Sequence, residues 1–322
     1  MSRVRGVLLA AALCVCAIPA SAHAAGVPAN GRLALTAGLG LGRADIVTVK
    51  SNGKGWTDLT PGDHPAYCSP AWSPDGTRIA FLEPADAVAG RTVLHVMNAD
   101  GTGARLVPLA RPSPVCESLS WSADGGWIAY SAGGGGVEAI RADGLGPGLT
   151  VTDGESGYHN PKWSNDGSRI VYLAEDGHTY ATPVSRVGPA LAFGAKQQID
   201  QHGPIGGHPD WSPDDSRLVA TWEGADARGL WTVSSSDGGA AVPLTTNALN
   251  SEPTLVDDYA SWSPDGRKIA FWRGTYTANG AGIGQGIFVV DAGGGAPLEL
   301  IAAAGDVTSV AQPDWQPLPR GS

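Results

Sequence analysis

The chain has 322 residues, of which 31 are Asp or Glu and 21 are Lys or Arg, giving a formal net charge of −10. This acidic balance argues against a nucleic-acid-binding protein, because neutralising phosphates requires a basic surface. A hydrophobic fraction of 42% with 11 Trp argues against disorder, and 46 Gly with 24 Pro favour many tight turns over long helices. Composition therefore predicts a turn-rich all-β protein.

Residues 1–25 are predicted to be a secretory signal peptide. Arg3 and Arg5 precede a short apolar stretch at 7–18, and two overlapping Ala-x-Ala sites follow Pro19. The apolar stretch is too short to cross a bilayer, and no later stretch reaches about 18 apolar residues. We therefore expect an exported protein, periplasmic or extracellular, that has no membrane span and whose mature domain is 26–322.

Signal-peptide cleavage would leave two of the four cysteines, Cys68 and Cys116. An exported chain meets an oxidising compartment, where two remaining thiols commonly pair. Both cysteines also fall at nearly the same place in successive copies of the repeat described below. This predicts a disulfide between them; the alternative is two independent buried thiols.

Residues 31–62 predict three strands, near 33–35, 45–49 and 56–59. A pattern beginning with Trp-Ser then recurs five times, and a degenerate sixth copy lies at 313–317. Successive copies are 42 to 53 residues apart, which suits a four-stranded propeller blade better than a pair of helices. The repeated residues are Trp72, Trp121, Trp163, Trp211, Trp262 and Trp315.

Each copy, which reads Trp-Ser-Pro-Asp-Gly or differs from it at one position, predicts a hairpin. Pro sets φ for the turn, Asp bonds back to the backbone and Gly accepts a left-handed conformation. The turn joins the Trp strand to an apolar run that is buried on both faces, as stacked blades require. A third strand and a weaker, outer fourth strand follow. The third strands are predicted at 93–97, 137–140, 179–184, 230–234 and 287–290.

The two ends of the domain predict one further blade. Residues 31–62 supply three strands without a Trp-Ser strand, and Trp315 lies on a lone strand at the C-terminus. Pairing them gives 3+1 closure, which joins the ends and removes an open sheet edge. The fold class is therefore predicted to be an all-β, six-bladed β-propeller.

The sequence Pro-x-Trp-Ser-Pro-Asp-Gly-x-x-Ile-Ala-Phe resembles the WD40-like (PD40) repeat of the TolB-like β-propeller family. The resemblance covers residues 30–318, nearly the whole mature chain. It implies a single six-bladed propeller over 26–322. It also departs from the family pattern, because the first blade takes up the residues before Trp72, where TolB carries an α/β domain.

The variable loops opposite the Trp-Ser turns are the predicted binding surface, since propellers usually place function on loops held by a rigid scaffold. The longest are predicted at 246–258 and 273–285, and a flexible Gly-rich insertion is the alternative reading of the second. The binding residues predicted in this region are Asp257, Asp258, Tyr259, Arg273 and Tyr276.

Alignment on the repeated Trp places ligand-type residues at the predicted channel mouth. Glu117, His159 and Asp258 stand four residues before their Trp, and His208 stands three before. His and carboxylate groups converging from neighbouring strands can bind a divalent cation or perform acid/base chemistry. Polar residues also line any water-filled channel, so both readings stay open. The Asp residues of the Trp-Ser turns are explained by turn geometry.

The sequence predicts no catalytic residue, because nucleophile-elbow, metalloprotease, P-loop and dinucleotide motifs are missing. The leading hypothesis is an exported, non-enzymatic and monomeric propeller that binds a protein or a cell-envelope component, with no cofactor, nucleic acid or membrane partner. The alternative is a metal-dependent lyase or lactonase with its site in the channel. Convergence of Glu117, His159, His208 and Asp258 would favour the alternative.

Overall fold

The computed structural model describes residues 30–39, 43–62, 64, 66–86, 91–113, 116–152, 157–187, 190–201, 206–224, 227–249 and 251–318. The predicted signal peptide, residues 1–25, lies outside this set. The regular secondary structure of the described residues consists of strands, and none of them belongs to a helix capable of crossing a membrane.

The strands form six antiparallel sheets, numbered here as blades 1 to 6 in chain order. Blade 1 contains β1 (Asn30–Gly38), β2 (Ala44–Lys50), β3 (Thr57–Asp58) and the last strand, β26 (Ser309–Pro317). Blade 2 contains β4 (Cys68–Trp72), β5 (Arg78–Asp86), β6 (Arg91–Asn98) and β7 (Arg105–Val107). Blade 3 contains β8 (Leu119–Trp121), β9 (Trp127–Ala132), β10 (Gly136–Arg141) and β11 (Leu149–Thr150).

The last three blades include two five-stranded sheets. Blade 4 contains β12 (Tyr158–Trp163), β13 (Arg169–Ala174), β14 (Thr179–Val187), β15 (Ala190–Phe193) and β16 (Gln197–Gln198). Blade 5 contains β17 (Gly206–Trp211), β18 (Arg217–Glu223), β19 (Ala227–Ser234), β20 (Val242–Pro243) and β21 (Asn247–Ala248). Blade 6 contains β22 (Thr254–Trp262), β23 (Lys268–Tyr276), β24 (Gly282–Asp291) and β25 (Leu298–Ala302).

The predicted all-β, six-bladed architecture is confirmed, including its closure. In blade 1 the order is β26-β1-β2-β3, so the C-terminal strand is the innermost one. Leu33 pairs with Trp315, and Asn30 pairs with Pro317. This pairing brings the two ends of the domain into one sheet, and the ring therefore closes by hydrogen bonds between strands of distant sequence position.

The core lies between the blades and consists of six apolar clusters, one at each junction of neighbouring blades. Each repeated Trp packs against the blade that precedes its own. Trp121 of blade 3, for example, packs with Ala71 and Leu82 of blade 2. All six of these Trp side chains are at least nine-tenths buried. The repeat therefore places one large aromatic side chain at every junction of the ring.

The Trp-Ser turns have one shared hydrogen-bond pattern. In each of the five full copies the Ser Oγ donates to the Asp Oδ1 two residues later, at 2.6–2.7 Å. Burial raises the pKa of the Asp75 carboxyl, but hydrogen bonds from Ser73 and Thr77 outweigh this effect and lower the pKa. The other four turn carboxyls also have lowered pKa values. The Asp residues stabilise the turns, as predicted.

Five of the six inner strands have a bulge a few residues before the repeated Trp, namely β4, β12, β17, β22 and β26. In β12 the pairing with β13 shifts between His159 and Lys162, and Asn160 has a positive φ of 54°. Ser69, Tyr259 and Gln312 occupy the equivalent position with φ of 52–55°. A bulge adds one unpaired residue and so resets the alternation of side chains between the two faces of a strand. This geometry determines which side chains reach the channel.

Candidate functional site

The six inner strands, β26, β4, β8, β12, β17 and β22, surround a central channel and contact one another in that order. They all run in the same direction along the channel. We call the face where they begin the loop face and the face with the Trp-Ser turns the turn face. Residues three before the repeated Trp lie near the loop face, and residues directly before the Trp lie about halfway along the channel.

An ion triad crosses this channel at its middle. Lys162 of blade 4 places its Nζ atom 3.1 Å from Asp210 Oδ1 of blade 5 and 3.5 Å from Asp314 Oδ1 of blade 1. Blades 4 and 1 stand on opposite sides of the six-membered ring. The Lys162 side chain therefore spans the channel, and its ammonium pairs with carboxylates from two different blades.

Both carboxylates of the triad also accept backbone hydrogen bonds from a neighbouring blade. Asp314 Oδ2 accepts the N–H of Trp72, and Asp210 Oδ2 accepts the N–H of Trp262, each at 2.7 Å. Burial lowers the pKa of Lys162, but the charges of Asp210 and Asp314 outweigh it and raise the pKa. Burial raises the pKa of Asp314, and the Lys162 charge opposes that rise without cancelling it. The triad is therefore held in place by the blades it connects.

The triad separates two cavities. The cavity on the turn face has a volume of about 420 Å³ and is lined by the six repeated Trp residues. The cavity on the loop face, which we call the mouth pocket, has a volume of about 50 Å³. Its polar walls come from Ser69, Ser118, His208, Tyr259 and Gln312. Lys162 and Asp314 border both cavities, so their contact is the partition between them.

The structure brings together two of the four predicted metal ligands. His208 Nδ1 lies 3.0 Å from Asp258 Oδ1, and the His208 ring packs against Tyr259 in a tilted arrangement with centroids 3.9 Å apart. Burial raises the pKa of Asp258, but the charge of His208 and hydrogen bonds to the carboxylate outweigh it and lower the pKa. Glu117 Oε2 and His159 Nε2 are buried, and neither atom has a hydrogen-bond partner among the described residues.

No three His, Cys, Asp or Glu side chains in the described ranges are grouped so that they could hold a metal ion. Asp258 instead turns towards blade 5, where its Oδ1 also accepts a hydrogen bond from Thr221 at 3.0 Å. The reason is the bulge that follows Asp258. On a regular strand successive side chains point to opposite faces, and the bulge interrupts this alternation. The metal site stays a prediction.

The predicted binding residues fall into two groups. Asp257 is fully buried and forms a two-pronged ion pair with Arg273, at 2.6 and 2.7 Å. Asn247 of blade 5 donates to the same carboxylate at 2.8 Å, so this pair joins blades 5 and 6. Tyr259 lines the mouth pocket, and Tyr276 lies at the far end of β23. Much of the region predicted as loops is strand, since β22 to β24 continue beyond the disc.

Cys68 and Cys116 form a disulfide in the structure, with Cα atoms 5.5 Å apart. It joins the start of blade 2 to the segment before blade 3, beside the mouth pocket. The carbonyl of Cys116 accepts a hydrogen bond from Gln312 Nε2 at 2.9 Å, and Gln312 Oε1 accepts the N–H of Ser69 at 2.7 Å. One side of the mouth is therefore fixed by a covalent link and a shared glutamine.

Alignment on the repeated Trp missed the ion triad, although a signal for it exists. The column directly before the Trp contains three charged residues, Lys162, Asp210 and Asp314. Its other three members are small: Ala71, Ser120 and Ser261. One cation with two anions in a single inward-facing column indicates an ion-paired contact across the channel. The prediction of channel residues considered only the positions three and four residues before each Trp.

Solved structures share this fold at low sequence identity. TolB from Acinetobacter baumannii matches with a TM-score of 0.66 and 16% identity, over 89% of this chain and 67% of the TolB chain. A chain of the nidogen–laminin complex matches with a TM-score of 0.55 and 8% identity, over 88% of this chain and 98% of that chain. A prolyl endopeptidase matches with a TM-score of 0.52 and 12% identity, over 84% and 48%.

No protein-family model matches the chain, and no curated protein matches it in sequence. At these identities the likeness to solved structures concerns the fold, and fold alone does not determine function. The fold is that of a TolB-like six-bladed β-propeller.

Proposed function

We propose that the chain is an exported, non-enzymatic scaffold that binds another protein, or another component of the cell envelope, through its loop face. The contact of Lys162 with Asp210 and Asp314 across the channel is the observation that carries this proposal. It leaves a mouth pocket of about 50 Å³ above it. Sites that enclose a small-molecule substrate usually have about 300–1,000 Å³. Recognition on the loop face therefore requires an extended surface around the mouth.

The extension of blade 6 provides such a surface beside the mouth. Thr254, Tyr276 and Gly282 are still paired as neighbouring strands at its end. The Trp272 indole N–H donates to Gln285 Oε1 at 3.1 Å, and Gln285 Nε2 donates to a backbone carbonyl in the segment before β26 at 3.3 Å. These bonds support the extension against blade 1. A pre-organised surface loses little conformational entropy on binding, which favours association with a partner.

The fold comparison is consistent with a binding role, because the chain similar in fold to this one in the nidogen–laminin structure is part of a protein complex. The metal-dependent lyase or lactonase alternative depends on four side chains, of which His208 and Asp258 bond each other. We keep that alternative as a prediction to be tested by metal analysis. Export depends on the signal peptide predicted at 1–25.

The test uses two matched substitutions on blade 6. Ile283, on the loop-face extension, is 59% exposed, and Leu298, on the outer strand β25, is 69% exposed. The purified chain is used to capture its partner from an envelope extract, and the affinity of the isolated partner is then measured. Ile283→Asp should weaken binding at least tenfold, whereas Leu298→Asp should leave it unchanged. Equal affinity of both variants, or loss through Leu298→Asp alone, would contradict binding through the loop face.

A further inference from the structure

The floor of the turn-face cavity offers both hydrogen-bond donors and hydrogen-bond acceptors. It is formed by the six residues directly before the repeated Trp, all of which line the cavity: Ala71, Ser120, Lys162, Asp210, Ser261 and Asp314. The Lys162 ammonium has three N–H donors, and its two carboxylate partners take two of them. Each carboxylate oxygen can accept a further hydrogen bond besides the one it receives from Lys162 or from a backbone N–H. The floor can therefore donate to a ligand and accept from it.

The charged groups of the floor are accessible, and the cavity has the size of a small-molecule site. The exposed fraction of the side chain is 24% for Lys162, 17% for Asp314 and 9% for Asp210. The volume of about 420 Å³ falls within the range of about 300–1,000 Å³ that is usual for sites of small ligands. Of the two cavities that meet at the triad, the one on the turn face is therefore large enough for a ligand of several functional groups.

The walls of this cavity are mostly apolar. The six repeated Trp side chains line it, and each is at least nine-tenths buried, so each presents only a small part of its ring. The rim consists of the residues at the third position of the six Trp copies: Pro74, Ala123, Asn165, Pro213, Pro264 and Pro317. Proline and indole carbons gain dispersion energy from close contact with the C–H groups of a ligand. The cavity thus combines an apolar wall with a polar floor.

The mixed charges of the floor select a neutral ligand. Lys162 Nζ lies 3.1 Å from Asp210 and 3.5 Å from Asp314, so an ionic group brought to the floor meets a charge of its own sign whichever sign it carries. A hydroxyl group carries no net charge, donates one hydrogen bond and accepts two. Sugars combine several hydroxyl groups with apolar C–H faces, which match the floor and the walls respectively. We propose that the turn-face cavity binds a neutral sugar of one or two rings.

The test labels the Trp residues of the full chain with nitrogen-15 and follows their indole N–H signals by NMR. The ligands are the methyl glycosides of glucose, galactose, mannose and N-acetylglucosamine. At least one of them should shift signals of the repeated Trp residues saturably and leave that of Trp56, which lies beside the outer strand β3, unchanged. Derivatives of the bound sugar that carry a carboxylate or an ammonium should bind at least tenfold more weakly. Binding of none of the four glycosides, or equal or tighter binding of a charged derivative, would overturn the inference.

Two rim variants locate the site. Ala123→Trp on blade 3 and Pro213→Trp on blade 5 each add a large side chain at an exposed position of the rim. Both should weaken sugar binding at least tenfold, whereas Ile283→Asp on the opposite face is the control and should leave it unchanged. Urea unfolding shows whether each variant is folded, and either rim variant decides the test if the other fails to fold. Unchanged affinity in the folded rim variants would place the sugar elsewhere and refute the proposal.

The same chemistry is presented by a free sugar and by the end of an envelope polysaccharide. The ion triad closes the floor, so a polysaccharide can enter only by a chain end. A linear oligosaccharide of the bound sugar that binds as tightly as the methyl glycoside supports the site with a chain end as its occupant. An oligosaccharide that is excluded supports the site with the free sugar as its occupant.

This inference concerns the turn face and does not depend on the proposed function of the loop face. A partner that binds through the loop face while no glycoside binds would leave the proposed function standing and refute this inference alone. A glycoside that binds at the rim-sensitive site while Ile283→Asp does not affect partner binding would support this inference and contradict the proposed function.

Discussion

The substitution Lys162→Met should destabilise the fold strongly at neutral pH. It removes the ammonium that lies 3.1 Å from Asp210 and 3.5 Å from Asp314, and it leaves the two carboxylates without a counter-charge. Removing one partner of a buried ion pair typically costs about 3–5 kcal/mol. The Lys162 side chain is 24% exposed within the channel, and water there screens part of the repulsion. We therefore expect a loss near the lower end, about 3 kcal/mol.

The loss should become smaller as the pH falls. Burial raises the pKa of Asp314 in the wild-type protein, and the charge of Lys162 opposes that rise, so removing Lys162 raises the pKa further. A carboxyl whose pKa is higher in the folded state binds protons more tightly when folded, and acidification then stabilises the fold. The stabilities of Lys162→Met and wild type should converge between neutral pH and about pH 4, where carboxyls ordinarily titrate.

Urea unfolding followed by Trp fluorescence at several pH values measures both effects. The matched control is Lys268→Met, which removes the ammonium of an exposed pair 2.9 Å from Asp291. The side chains of that pair are 50% and 72% exposed, so its loss should cost less than about 1 kcal/mol. An equal loss in the two variants would refute the reasoning, as would a loss in Lys162→Met that does not depend on pH.

A triple variant separates charge from packing. In Lys162→Met combined with Asp210→Asn and Asp314→Asn, both carboxylate charges are gone, but each Asn keeps an oxygen that can accept the backbone N–H of Trp262 or Trp72. Most of the lost stability should therefore return. A triple variant as unstable as Lys162→Met would show that the cost comes from lost packing rather than from uncompensated charge.

Four further predictions concern the Trp-Ser turn, the Asp257–Arg273 ion pair and the channel. Ser73→Ala should lower the free energy of unfolding by about 1 kcal/mol, since its Oγ bonds both Asp75 and the next strand. The pKa of Asp75 is lowered in the folded state, so its carboxylate should stabilise the turn fully above the ordinary carboxyl pKa. Acid unfolding should show that this stabilisation is lost as the pH falls through the pKa of Asp75 in the folded state. Arg273→Ala should lower the free energy of unfolding by about 3–5 kcal/mol, and the melting temperature with it, because Asp257 stays buried without its cationic partner. Elemental analysis should find no stoichiometric divalent ion, and a chelator should not shift the melting temperature. One bound ion per chain that is lost in Glu117→Ala would support the lyase or lactonase alternative.

The blades were predictable because their determinants are local in sequence. Each Trp-Ser turn carries its own φ preferences and its own Ser–Asp hydrogen bond, so five copies specify the same hairpin independently. Closure was also predictable, since three strands at one end and the Trp315 strand at the other complete a four-stranded sheet. The order and number of blades follow from these repeated units rather than from any single contact.

The channel was harder to predict because its side chains depend on geometry that the repeat does not reveal. The bulge before the repeated Trp changes which residues face the axis, so a count of two along the strand fails there. Asp258 consequently pairs with His208, and Asp257 is buried with Arg273. Lys162 could be recognised as a cross-channel residue only once blades 4 and 1 were placed on opposite sides of the ring.

Amide hydrogen exchange of the full chain, with and without its isolated partner, tests the central claim most directly. Binding through the loop face predicts slower exchange in 254–259 and 274–286 and at the mouth of the channel, with unchanged exchange in the five Trp-Ser turns. Slower exchange confined to the Trp-Ser turns or to the outer strands would contradict the claim and place recognition on another surface.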